Sequence, residues 1–234
     1  MRETIESLLP IERNLFFALN GSDSIFWDNM FWTMTGKVIW APMLLFLAVM
    51  FFYRAPVRIA ILTVVSVAII FTLCDQISSS IFKDFFQRPR PTHHPDFMEF
   101  VDTVKGYRSR GYSFISGHAT NSFGIAVFLS LVFRSKWMTI PLLVWALLNS
   151  YSRVYLGVHF ITDILGGMVV GTIIAFAIYS LYCFVRKHIS SMHSNSISSN
   201  YTYSLQTGRI IGIVIIAYIS LIIIFSPILT TLGH

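Results

Sequence analysis

Charged side chains are scarce along most of this chain, and the residues that replace them are apolar in long runs. Of 234 residues, 55% are apolar and only 12% are charged, about half the charged share of an ordinary soluble domain. A helix that crosses the hydrocarbon core of a bilayer needs roughly 20 mostly apolar residues. Six runs meet or approach that length: residues 38–53, 57–80, 119–133, 137–151, 160–185 and 210–229. The pattern predicts an all-α fold: one domain over residues 1–234, an integral membrane bundle of about six transmembrane helices. The shorter runs need interfacial aromatics at their ends, a role that suits Trp137 and Tyr151. Residues 11–32 mix aromatics with Glu12, Arg13, Asp23 and Asp28, which predicts an N-terminal interfacial segment rather than a further span.

Charge and cysteine narrow the class further. The start, Met1-Arg2-Glu3, lacks the basic-then-apolar order of a cleavable signal peptide, so none is expected. Cys74 and Cys183 both fall inside apolar runs and read as small buried hydrophobes rather than a disulfide. The net charge of +6 sits at run ends and in one loop, so no nucleic-acid partner is expected. Three short connections are basic: Arg54 and Arg58; Arg134 and Lys136; Arg186, Lys187 and Arg209. By the positive-inside rule these face the cytoplasm, which turns the termini and the segments 83–118 and 152–159 outward. The outward segments also hold seven cations, Lys83, Arg88, Arg90, Lys105, Arg108, Arg110 and Arg153. These oppose that orientation unless they serve a separate role. The Ser/Asn-rich stretch 190–204 reads as a flexible cytoplasmic linker. Its Asn200-Tyr201-Thr202 triplet would then be irrelevant to glycosylation.

Three clusters in the outward segments carry chemistry. Lys83 is followed after six residues by Arg90-Pro91, in a stretch held extended by Pro89 and Pro91. Arginine offers a planar fork that matches phosphate oxygens, and lysine adds a mobile charge. Ser116-Gly117-His118 opens the third run, where free backbone N–H groups attract phosphate. Gly117 permits close backbone approach, Ser116 suits an N-cap, and His118 suits proton donation to a leaving oxygen. Arg153 ends the fourth run, His159 opens the fifth, and Asp163 follows four residues later on the same helix face. A carboxylate on one ring nitrogen fixes the tautomer and leaves the other free to attack. Taken singly, these are a basic helix flank, a helix cap and a structural His–Asp pair. All three at the same ends of packed helices define a phosphate pocket with a nucleophile and an acid. His93-His94, followed by Pro95, reads as loop histidines rather than a metal site. Asp75, Ser79 and Lys83, each four apart, suggest that Asp75 steadies Lys83 or contacts Asn121 or Asn149.

These residues resemble the three-part pattern of the type 2 phosphatidic acid phosphatase superfamily. Lys83…Arg90-Pro91, Ile115-Ser116-Gly117-His118 and Ser152-Arg153…His159…Asp163 stand in order with complete spacing. One position departs: Ile115 stands where the family usually has proline, which implies altered turn geometry without loss of a catalytic group. The resemblance implies that His159 attacks phosphorus and becomes a phosphohistidine, that Asp163 orients it, and that His118 protonates the leaving oxygen. It implies that Lys83, Arg90, Ser116, Gly117 and Arg153 hold the phosphate. No metal or other cofactor is expected, and no obligate protein partner. The short chain is similar to the membrane-bound bacterial branch, which implies a multi-pass protein of the cytoplasmic membrane. Its partners would be the bilayer and a lipid phosphate reached from the periplasm or cell exterior. Undecaprenyl diphosphate ranks first as substrate. Lipid A and phosphatidylglycerophosphate or phosphatidic acid are the alternatives. The long apolar runs oppose the soluble haloperoxidase branch. A non-catalytic lipid-binding protein or transporter would have no use for His118, His159 and Asp163 together.

Overall fold

The computed structural model describes residues 2–36, 38–191 and 203–231. Residues 192–202 of the Ser/Asn-rich stretch, with the Asn200 triplet, lie outside them. The regular secondary structure of the described residues is helical throughout. In order come α1 (Arg2–Glu6), α2 (Leu9–Leu19), α3 (Ile25–Thr35), α4 (Ala41–Phe52) and α5 (Val57–Gln76). A π-helical segment, Ile77–Phe82, continues α5 into α6 (Lys83–Phe86). Then follow α7 (Gly117–Phe133), α8 (Lys136–Tyr155), α9 (Ile161–Ser191) and α10 (Leu205–Leu229).

Each of the six apolar runs forms a helix, but they differ in how they face the membrane. Residues Val57–His93, Ile161–Ile189 and Leu205–Leu229 are long and apolar enough to cross by themselves. Helices α3 and α4 qualify together as a span bent by 72°. Helix α7 is apolar but has only 17 residues. Helix α8 has 20, with a polar last stretch from Asn149 to Arg153. The reason is position. Helix α7 lies at the centre, packed by α5, α8 and α9, so its surface is answered by protein rather than lipid. The peripheral helices expose Leu44, Leu45 and Val49, then Ile61 and Val65, then Val169, Ile173 and Phe176, then Ile213 and Ile224. An apolar exposed surface this extensive belongs in a bilayer.

The N-terminal stretch plays two roles. Helix α3 joins the bundle, packing on α8 and α10 and burying Met30, Phe31 and Met34. Helix α2 lies at one end of the bundle, where Phe16 meets Phe97 and Phe160 at ring-centroid distances of 5.8 and 5.5 Å. Asn20 clamps it there. Its amide donates to the carbonyls of Asp102 and Tyr155 at 3.1 and 2.9 Å and accepts from the Asp102 N–H at 2.8 Å. Tyr151 donates to the Leu19 carbonyl. At the opposite end Arg54 meets Gln206, Arg134 meets the Tyr179 hydroxyl, and Tyr203 donates to the Phe51 carbonyl. The basic connections therefore share one end, and the three motif clusters share the other.

Close contact between α7 and α9 fixes the motif end. Gly167 and Gly171, four apart on α9, form the small-xxx-small face that lets membrane helices touch along their backbones. A Cβ on Gly171 would stand 2.2 Å from the Thr120 carbonyl oxygen, and one on Gly167 2.7 Å from that of Ser116. Gly171→Ala is expected to push the helices apart and destabilise the fold by about 1–3 kcal/mol, the usual effect of overpacking. Thermal unfolding in detergent checks this, with the lipid-facing Val169→Ala as the variant expected to unfold near the wild-type temperature.

Candidate active site

The site forms where α7 and α9 begin and α8 ends. Ser116 caps α7, accepting from the Ala119 N–H through its hydroxyl, and its own N–H donates to the Asp163 carbonyl at 3.0 Å. The turn before α7 is thereby tied to the first turn of α9. Ile115 is fully buried against Gly166, where a Cβ would stand 2.8 Å from its Cγ2. A Cβ on Gly117 would meet the Ser78 hydroxyl at 3.2 Å, so the π-helical segment of α5 lies directly against this turn.

His159 lies in the turn between α8 and α9. The Arg153 carbonyl accepts from the N–H groups of Val158 and His159. The left-handed turn at Gly157, φ +67°, admits no side chain, because a Cβ would stand 2.4 Å from Val101. Asp163 is the third residue of α9. Its Oδ2 accepts from the Phe160 N–H at 2.9 Å and faces His159 Nδ1 at 3.4 Å. The i, i+4 pairing predicted from sequence is present, but as a helix-capping carboxylate reaching back to a residue outside the helix.

The other ring nitrogen, Nε2, lies 3.3 Å from Arg90 Nη1. A guanidinium only donates, so Nε2 accepts there, and the ring proton belongs on Nδ1, toward Asp163. The lone pair on Nε2 therefore points at the cations. Burial, and then the charges of Arg90, Arg153 and Lys83, hold the His159 imidazole well below the ordinary histidine range. The ring is neutral at pH 7, the form that can attack.

Arg90 is held by carbonyls: those of Arg110 and Gly111 accept from its Nε, and that of Val158 from its Nη1. Arg153 is almost fully buried, and its Nε has no hydrogen-bond partner; Tyr107 lies within electrostatic reach of the same guanidinium. Lys83 follows the π-helical segment, within electrostatic reach of Arg90 and Arg153. His118, in the first turn of α7, interacts with Arg153, His159, Lys83 and Arg90. Among the described residues, no carboxylate pairs with Lys83, Arg90 or Arg153. All eight residues singled out from sequence therefore gather at one end of the bundle. Asp75 is exposed, yet its charge acts on Lys83 across the π-helical segment. Asn149 bonds Ser122 instead.

Two residues of this site escaped the sequence reading. Arg88 is fully buried. Its Nη1 donates to Asp163 Oδ1 at 2.8 Å and to the Thr162 hydroxyl at 2.7 Å, and its Nη2 donates to Glu12 Oε1 at 2.6 Å. Its guanidinium carbon lies 4.1 Å from the Phe160 ring centroid. Glu12, from α2, also accepts from the N–H and hydroxyl of Thr162, both at 2.9 Å, so it caps α9 from another helix. The available signals were an acidic residue in an aromatic helix, which needs a partner near a membrane, and a second arginine two residues before Arg90.

The chain belongs to the PAP2 superfamily, whose family model matches residues 56–187. It is a membrane-embedded phosphatase of that superfamily acting on lipid phosphates. It is 40% identical to a lipid A 4′-phosphatase of Porphyromonas gingivalis, across 90% of this chain and 91% of the relative. It is 38% identical to a lipid A 4′-phosphatase of Bacteroides thetaiotaomicron, across 71% and 75%. Its fold is similar to the crystal structure of a transmembrane PAP2-type phosphatidylglycerolphosphate phosphatase from Bacillus subtilis. The TM-score is 0.55 with 26% identity, covering 75% of this chain and 86% of that one.

Arg88→Met would leave two buried carboxylates without their cation. Breaking a buried ion pair from one side typically costs about 3–5 kcal/mol. The variant is expected to unfold well below the wild-type temperature in detergent, whatever its activity.

Proposed function

We propose that this protein removes the 4′-phosphate of lipid A through a phosphohistidine on His159, at the outer face of the cytoplasmic membrane. One observation carries the chemistry. Three cations that form no salt bridge among the described residues act on a neutral, buried histidine, and one of them, Arg90, lies 3.3 Å from its lone pair. Cations held this close repel one another until a polyanion joins them, and a phosphate ester is the polyanion that three donors and a helix N-terminus fit.

The reaction follows from the atoms present. Lys83, Arg90 and Arg153 hold the phosphoryl oxygens, with the Ser116–Gly117 turn at the start of α7. The Nε2 lone pair of His159 forms a bond to phosphorus as the bond to the 4′-oxygen breaks. The electron pair leaves on that oxygen, which takes a proton from the His118 imidazolium, the form that the arriving phosphate dianion favours. His118, now neutral, takes a proton from water. The water oxygen attacks phosphorus, the P–N bond breaks, and inorganic phosphate leaves with His159 restored. The cations supply the charge stabilisation that magnesium gives in other phosphoryl transfers, so the reaction is proposed to need no metal.

Lipid A is preferred over undecaprenyl diphosphate, first by motif resemblance, because both relatives matched across most of this chain carry the lipid A name. The outward orientation rests on the basic connections gathered at the far end of the bundle.

Phosphate release from lipid A, undecaprenyl diphosphate, phosphatidylglycerophosphate and phosphatidic acid tests the substrate. Lipid A should give the highest kcat/KM, with loss of the 4′-phosphate seen by mass spectrometry. A higher value for another lipid would overturn the assignment. Excess EDTA should leave the rate unchanged, and abolition of activity would reject metal independence. His159→Ala should lower kcat by about 10⁴-fold or more, as loss of a nucleophile does, and should abolish an acid-labile phosphoenzyme. Arg153→Ala should cost about 10²–10³-fold, the scale of one lost transition-state donor.

A further inference from the structure

Glu12 lies outside residues 56–187, the stretch matched to the family, yet its carboxylate is buried one guanidinium away from Asp163. The chain of contacts runs from α2 to the reacting ring. Glu12 Oε1 accepts from Arg88 Nη2, Arg88 Nη1 donates to Asp163 Oδ1, and the other oxygen of Asp163 faces His159 Nδ1. We propose that Glu12 and Arg88 are positioning residues that set the orientation and net charge of Asp163, making the N-terminal helix part of the catalytic apparatus. The inference rests on the reading of His159 as nucleophile.

The physical reason lies in the charge balance. Arg88 fixes the Asp163 carboxylate, but an Arg88–Asp163 pair alone is neutral. It would offer little to the positive charge that develops on the imidazole as Nε2 bonds to phosphorus. Glu12 adds a second carboxylate, so the trio keeps one net negative charge behind Nδ1. That charge matters because the rest of the ring's surroundings are positive or neutral. Arg90 comes from the loop after α6, Arg153 from α8 and Lys83 from α6; His118 comes from α7 and the Ser113 carbonyl from the loop before it. Water cannot take over the role, since Arg88 and Asp163 have no exposed surface. Thr162 holds the trio in register, accepting from Arg88 and donating to Glu12 through one hydroxyl.

Glu12→Gln is nearly isosteric and removes the charge while leaving an oxygen to accept from Thr162. The full-length protein in detergent, assayed on lipid A with single-turnover readout for slow variants, gives the test. Glu12→Gln should lower kcat by about 10–100-fold, the usual effect of losing a partner that orients a histidine. KM should stay within about threefold, since Glu12 touches no substrate. In an Asp163→Asn background the same substitution should lower kcat by a clearly smaller factor than in the wild type, because the orientation that Glu12 imposes through Arg88 no longer acts on a charged carboxylate. Wild-type kcat in Glu12→Gln would overturn the proposal, as would a rise in KM alone or the same fold-loss in both backgrounds. His159→Ala run in parallel separates the two readings. If it keeps activity, the nucleophile assignment fails. If it is inactive while Glu12→Gln matches wild type, only the role of Glu12 and Arg88 fails.

Discussion

A buried guanidinium organises the catalytic end of this protein. Arg88 has no exposed surface, and an unpaired charge there would be prohibitively costly. Its pairing with two carboxylates requires three distant segments to meet: helix α2 through Glu12, the loop after α6, and the first turn of α9 through Asp163 and Thr162. The same contacts orient the carboxylate that faces His159. The chain thus sorts its cations by partner. Arg88 is paired with two carboxylates, whereas Arg90 is held by neutral carbonyls and, among the described residues, Arg153 forms no ion pair. Only the second kind has charge left for a substrate.

The glycines between α7 and α9 provide the matching constraint on the backbone. Because Gly167 and Gly171 allow direct contact, the start of α7 is pressed against the start of α9, and the Ser116 N–H reaches the Asp163 carbonyl. Two helix N-termini then open on one spot. Their free N–H groups and dipoles favour anions, which serves both the structural carboxylates and an arriving phosphate. Placing this at the end of a lipid-facing bundle lets a phosphorylated headgroup reach the site while its tails stay among the exposed aliphatic side chains of the helices.

Much of this was legible in the sequence. Six apolar runs became six helices because burial in lipid leaves the backbone no other local solution. Spacing within the motifs was legible for the same reason: Lys83 to Arg90 and His159 to Asp163 lie close enough in the chain that local geometry decides where they point. Asp75 follows the same logic, acting on Lys83 through charge across the π-helical segment between them.

The sequence by itself determined the membrane class, the helical fold, the family and the eight residues that the structure brings to one end of the bundle, because each is written in composition or short-range spacing. Only the tertiary structure decided that Arg88 rather than His159 is the principal partner of Asp163, at 2.8 against 3.4 Å. It also decided that Glu12 completes the site. Those contacts join residues 75 and 76 positions apart, and no local rule relates them. They exist because a buried cation must find its anions wherever the packed helices bring them.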